Sequence, residues 1–123
     1  MKRYKLDDVV KSIFVFMNDY SIPKNRILWC YAFFELKDRF KIDVEFDYNY
    51  QYPVCLDLEI FLASVIKLVD DNRSEDFFTI PSDYISLWKK EIMLKTLHEK
   101  NHLFNLSREF VRIINRKDID DET

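Results

Sequence analysis

Between residues 42 and 51 hydrophobic and polar side chains alternate without a break. Ile42, Val44, Phe46, Tyr48 and Tyr50 share one parity, and Asp43, Glu45, Asp47, Asn49 and Gln51 the other. Successive side chains of an extended chain point to opposite faces, so this spacing predicts a half-buried strand over 42–50 with three carboxylates in a row on its outward face. Elsewhere apolar residues recur at intervals of three and four. Leu6, Val9, Val10, Ile13, Phe14 and Met17 form one stripe of a helix over 6–19, with Asp7 and Asp8 at its positive end. Ser21 or Ile22 ends it, and Pro23, a residue suited to a first helical turn, opens a second helix to about residue 40. The apolar arc of that helix, Ile27, Cys30, Tyr31 and Phe34 with Trp29 and Phe33, is wide enough to place it centrally.

A third helix is expected over 57–69 through Leu58, Phe61, Leu62, Val65, Ile66 and Val69. Ser82 or Asp83 caps a fourth to about residue 100, and Asn105 or Ser107 a fifth to 115 with Leu106, Phe110, Val111 and Ile114 inward. Residues 70–76 read as an acidic loop. The segment 1–117 reads as a single globular domain and 118–123 as an acidic disordered tail. The strand partner is either 77–80 or 54–58, and because an isolated hairpin is marginal in water the sheet must pack on helices. The expected architecture is therefore α+β: about five helices packed with a small antiparallel sheet of two or three short strands, helix-dominated.

Composition narrows the chemistry. Glycine is absent, against an average usage of about 7%. Glycine-rich loops let backbone approach a phosphate, so P-loop and dinucleotide-binding enzymes are excluded. Helix ends and turns lose their usual residue too, which leaves Asn25, Asn49, Asn72, Asn101 and Asn115 as the expected positive-φ positions. Wealth in Ile, Lys, Asn, Asp, Phe and Tyr points to an AT-rich coding source such as a phage, a plasmid or an AT-rich bacterium. At 123 residues the chain can bury roughly two thirds of its unfolded surface without a disulfide or metal. Cys30 and Cys55, both set in apolar sequence, read as core hydrophobes of a reducing compartment. The longest apolar run, 60–66, is far short of the roughly 20 residues a membrane span needs, and the start lacks a signal-peptide pattern, so a cytoplasmic protein is expected.

Charge changes the picture most. The net charge of −3 conceals three cations against nine carboxylates between residues 41 and 78, flanked by net-positive segments on both sides. A dipolar surface of this kind steers association with a basic partner. Asp43, Glu45 and Asp47 supply the charge row, Tyr48, Tyr50 and Tyr52 the packing anchors, and Asp70, Asp71, Glu75 and Asp76 the outer steering charges.

Two other constellations carry chemistry. His98-Glu99-Lys100-Asn101-His102 is an H-E-x-x-H, which on a helix puts two imidazoles on one face to ligate zinc with the glutamate aimed at a metal-bound water. In these five residues it resembles the zincin metalloprotease signature; the resemblance implies a minimal zinc-dependent hydrolase, with Glu109, Asp118 or Asp120 as the third ligand. Arg108, Arg112 and Arg116 follow one helix face and would let a helical module track nucleic-acid phosphates. The leading expectation is neither of these. It is a non-enzymatic protein-binding inhibitor, without metal or cofactor and touching neither membrane nor nucleic acid directly, that neutralises a basic partner such as a nuclease. Immunity proteins of nuclease toxins and anti-defence proteins act by such nucleic-acid mimicry, and the analogy is one of function.

Overall fold

The computed structural model describes residues 3–17, 22–69 and 76–122, with side chains described through residue 116. Along the chain lie β1 (Tyr4–Lys5), α1 (Leu6–Phe16), β2 (Ile22–Pro23), α2 (Arg26–Leu36), β3 (Ile42–Asp43), α3 (Leu56–Val69), β4 (Phe77–Phe78), α4 (Ser82–Met93) and α5 (Leu97–Glu122). Five helices and two small sheets make a helix-dominated α+β fold.

The core forms where α1 and α2 lie on α5, with α4 against α1 and α3 against α2. Trp29 is its centre. Fully buried, it meets Phe110 of α5 at 4.5 Å and Phe14 of α1 at 5.8 Å between ring centroids. Its indole N–H donates to the Pro23 carbonyl at 2.8 Å, so the one polar atom of the ring is satisfied inside the core. Cys30 and Cys55 are buried free thiols as expected; burial pushes Cys30 up to about 11 and raises Cys55 as well.

Helix α2 starts three residues later than the proline implies. The Asn25 side chain accepts from the N–H groups of Ile27 and Leu28 and caps the helix, while Pro23 sits in β2. Strand β2 pairs antiparallel with β4, Ile22 opposite Phe78 and Pro23 opposite Phe77. A proline lacks the N–H a ladder needs and suits an edge strand, which reconciles Pro23 with this place. Phe77 and Phe78 are thereby taken, and do not pair with the 42–50 segment.

The end of α2 departs from expectation as well. The chain turns through 37–41, with Ile42 N–H donating to the Lys37 carbonyl at 3.0 Å and Lys41 at φ 57°, the Schellman arrangement of a helix C-terminus. Lys41 is the positive-φ residue among those described, not an asparagine: Asn25 is an N-cap, Asn101 and Asn115 lie inside α5, and Asn72 is outside the described residues.

The expected strand over 42–50 shrinks to β3. It pairs in parallel with β1, Tyr4 opposite Ile42 and Lys5 opposite Asp43, and the ladder stops because the next residue of the partner, Leu6, begins α1. Beyond it, Asp47 and Val54 exchange both backbone hydrogen bonds (2.8 and 3.0 Å) in an isolated antiparallel bridge that closes the loop 48–53. The alternation survives in burial from Ile42 to Asp47 and then fails, with Tyr48 and Tyr50 both exposed.

The break between the last two helices lies at Leu94–Thr96 rather than beyond residue 100. Thr96 takes the capping position, its hydroxyl accepting the Glu99 N–H at 3.1 Å and lying 3.2 Å from the Glu99 carboxylate. Asn105 and Ser107, expected as caps, fall inside α5; Ser107 is buried and satisfies its hydroxyl on the Leu103 carbonyl one turn back.

Candidate functional site

Glu45, Asp47, Tyr48, Tyr50, Leu56 and Asp57 surround an open groove of about 580 Å³ between the loop after β3 and the start of α3. The Asp47–Val54 bridge makes the groove, because it folds the loop back so that Leu56 and Asp57, in the first turn of α3, face residues ten positions earlier. Tyr48 and Tyr50 are 62% and 64% exposed and Leu56 64%, so a large apolar surface stands in water beside three carboxylates. Buried area is what a monomer ordinarily makes of such side chains. Glu45, Asp47 and Asp57 form no ion pair among the described residues, though the Asp47 carboxylate accepts the Asn49 N–H at 3.0 Å.

Rings pre-position the tyrosine side of the groove. Tyr48 meets Phe34 of α2 edge-on at 5.9 Å, Phe34 meets Phe46 at 5.5 Å, and the Lys37 ammonium lies over both phenylalanine rings at 5.7 and 5.6 Å. The returning arm is held from the other end. The Tyr52 hydroxyl donates to Glu59 at 3.0 Å, and the Arg26 guanidinium lies 3.3 Å from the same carboxylate oxygen. Tyr52 is half-buried, and its phenol is pushed above its ordinary range by burial and then by Glu59.

The residues read from the sequence therefore divide. Glu45, Asp47, Tyr48 and Tyr50 come together at one groove. Asp43 is exposed on β3, outside it, and Asp76 is exposed next to β4 with its carbonyl bonded to the Lys24 N–H. Tyr52 is a structural tether rather than a free anchor. Asp70, Asp71 and Glu75 lie outside the described residues. Leu56 and Asp57 are the site residues the sequence reading missed; Val54 as a pairing partner of the strand was the signal that could have found them.

The H-E-x-x-H segment sits in the first turns of α5 and is engaged differently from a metal site. Glu99 belongs to the cap with Thr96. His98 is exposed, whereas His102 stacks on Tyr4 at 4.3 Å with 9° between the planes and bonds through Nε2 to the Phe40 carbonyl at 2.8 Å. Glu109, one candidate third ligand, is bound by Arg112 at 2.7 and 2.9 Å, and the side chains of Asp118 and Asp120 lie outside the described residues. Among the described residues no group of three or more His, Cys, Asp or Glu could hold a metal ion.

The arginine row is largely occupied. Arg112 bonds Glu109, which Arg39 also approaches at 3.6 Å, and Arg116 forms a two-oxygen contact with Glu35 of α2 at 2.7 and 3.0 Å. Arg116 thereby links α5 to α2 and Arg39 links the turn after α2 to α5, whereas Arg112 pairs within α5. Among the described residues no helix is long and apolar enough to cross a membrane. Comparison of the chain with family models, curated proteins and solved structures returns no match.

Proposed function

We propose that this chain is a cytoplasmic binding protein that neutralises a basic, nucleic-acid-handling partner by receiving its arginine or lysine side chains in the groove of Glu45, Asp47, Tyr48, Tyr50, Leu56 and Asp57. One observation supports the reading above the others: two tyrosines more than 60% exposed stand beside three carboxylates that form no ion pair among the described residues. Tyrosine faces attract cations, and a carboxylate binds guanidinium through charge-assisted hydrogen bonds. In mimicry of this kind carboxylates stand where phosphates would, and the partner is inhibited by occupation of its own nucleic-acid site.

The engaged arginines and the committed Glu99 and His102 favour this reading over a nucleic-acid-binding helix or a zinc hydrolase. Capture from the native host, with the wild type and with the combined Glu45→Gln, Asp47→Asn and Asp57→Asn variant side by side, tests it. The expected result is a basic partner whose nucleic-acid activity falls on stoichiometric addition. Its affinity should weaken about tenfold or more with added salt or in the variant. A partner bound equally by the variant, or indifferently to salt, would end the reading.

A further inference from the structure

We propose that the cleft where β1 meets the end of α2 binds a small phosphorylated molecule through Arg3, Lys37 and Lys41. This cleft, of about 460 Å³, is lined by those three residues and one carboxylate, Asp38, with Ile42 and Val44 completing its wall. Backbone bonds gather the cations. Tyr4 N–H donates to the Lys41 carbonyl at 2.8 Å, which sets Arg3 beside Lys41, and Ile42 N–H donates to the Lys37 carbonyl at 3.0 Å. Lysines near a helix C-terminus commonly serve the helix dipole. Here the carbonyls of Leu36, Lys37 and Lys41 already have backbone N–H donors.

Arg3 and Lys37 form no ion pair among the described residues. The rings of Phe34 and Phe46 beneath the Lys37 ammonium orient that charge without neutralising it.

Lys41 supplies an independent observation. Its backbone is left-handed, at φ 57°, where glycine or asparagine incurs less strain. Strained residues of this sort concentrate where a side chain has a use. Lysine at this position trades stability for a cation facing the cleft. Among the described residues the cleft is lined by three cationic side chains and one carboxylate, which suits an anionic group: the guanidinium offers a fork to two phosphate oxygens, and the ammonium groups act as point charges. Recognition by side chains also fits a chain without glycine, which lacks the glycine-rich loops that cradle phosphates. The volume admits a molecule of nucleotide size. A long polyanion is disfavoured, because the chain is net negative and Arg112 and Arg116 are engaged elsewhere.

The site does not depend on the acidic groove or its partner, and its test uses neither. Inorganic pyrophosphate is titrated into isotope-labelled full-length protein at constant ionic strength, following backbone amide resonances and, in parallel, thermal stability. Saturable shifts centred on Tyr4, Lys37 and residues 41–44 are expected, with affinity reduced about tenfold by Arg3→Met or Lys37→Met, the scale of one charge-assisted hydrogen bond. Lys41→Gly decides the matter because its two effects oppose: the melting temperature should rise as strain is relieved while pyrophosphate affinity falls. Linear, unsaturated shifts, or unchanged affinity in these variants, would overturn the proposal. So would tighter binding of a short single-stranded oligonucleotide than of pyrophosphate, since that would move the ligand from a small molecule to a nucleic acid.

Discussion

Thr96 and Glu99 bond to each other through both their polar groups, the threonine hydroxyl accepting the glutamate N–H at 3.1 Å and donating to its carboxylate at 3.2 Å. This T-x-x-E pair starts the longest helix of the protein and holds the turn from α4. Thr96→Ala should cost about 1 kcal/mol in urea unfolding. Glu99→Gln should cost much less, since glutamine still accepts a hydrogen bond. A larger loss for Glu99→Gln than for Thr96→Ala would contradict the capping role.

The indole N–H of Trp29 donates to the Pro23 carbonyl, and both residues are buried. Trp29→Phe keeps an aromatic ring but strands that acceptor, and a loss of about 1–3 kcal/mol is expected from the unsatisfied carbonyl, with a cavity adding to it. Thermal unfolding of the variant checks this. Because β2 is tied to β4, the amide proton of Phe78, opposite Ile22, should also exchange faster in the variant.

Both thiols should be silent in the folded protein. Cys30 and Cys55 are wholly buried, and burial holds Cys30 at about 11, so little thiolate exists at pH 8. A chromogenic disulfide reagent should titrate neither cysteine under native conditions and both in denaturant; rapid native reaction of either would show that the α2–α3 contact opens.

Glu109 carries a pH-dependent part of the stability. Its carboxyl is held below the ordinary range first by the Arg112 hydrogen bond and then by the charges of Arg112, Arg39 and Arg108, against an opposing effect of burial. A folded-state value below the unfolded one, about 4.3, stabilises the fold above that pH, and the contribution disappears as pH falls through the folded value. Glu109→Gln should therefore be less stable than the parent at pH 7, with the gap narrowing below about pH 4. Denaturant midpoints at the two pH values give the comparison, and a gap that stayed constant would refute it.

Tyr48→Ala and Tyr50→Ala should leave stability within about 0.5 kcal/mol, because both rings are mostly in water. Affinity for the captured partner should nonetheless drop about tenfold or more, as expected of aromatic anchors. Equal affinity with both alanines in place would remove the tyrosines from the docking face.

Much of the helical framework was legible because burial follows spacing: Val9, Val10, Ile13 and Phe14 of α1, and Leu58, Leu62 and Val65 of α3, are all buried as their stripes imply. The α4–α5 break was not, because Leu94 and Leu97 extend an apolar pattern while standing 88% and 70% exposed; the T-x-x-E of Thr96 to Glu99 carried the information instead. Strand β1 was hidden for a different reason. Two residues show no period, and their parallel partner lies nearly forty positions away. At the groove, Glu45, Asp47, Tyr48 and Tyr50 could be read from alternation. Leu56 and Asp57 could not, since a backbone bridge, not a side-chain pattern, brings them there.

That bridge sets the tip of the loop apart from the packed interior. Asp47 and Val54 clasp the chain on one side, and buried Cys55 fastens it just beyond, so the six residues between them contribute little to the interior beyond the Tyr52 tether. Substitutions or length changes at the tip exact a small folding penalty. Under the proposed docking role, a lineage meeting a new partner could rewrite these few codons and retarget the molecule while inheriting its scaffold intact.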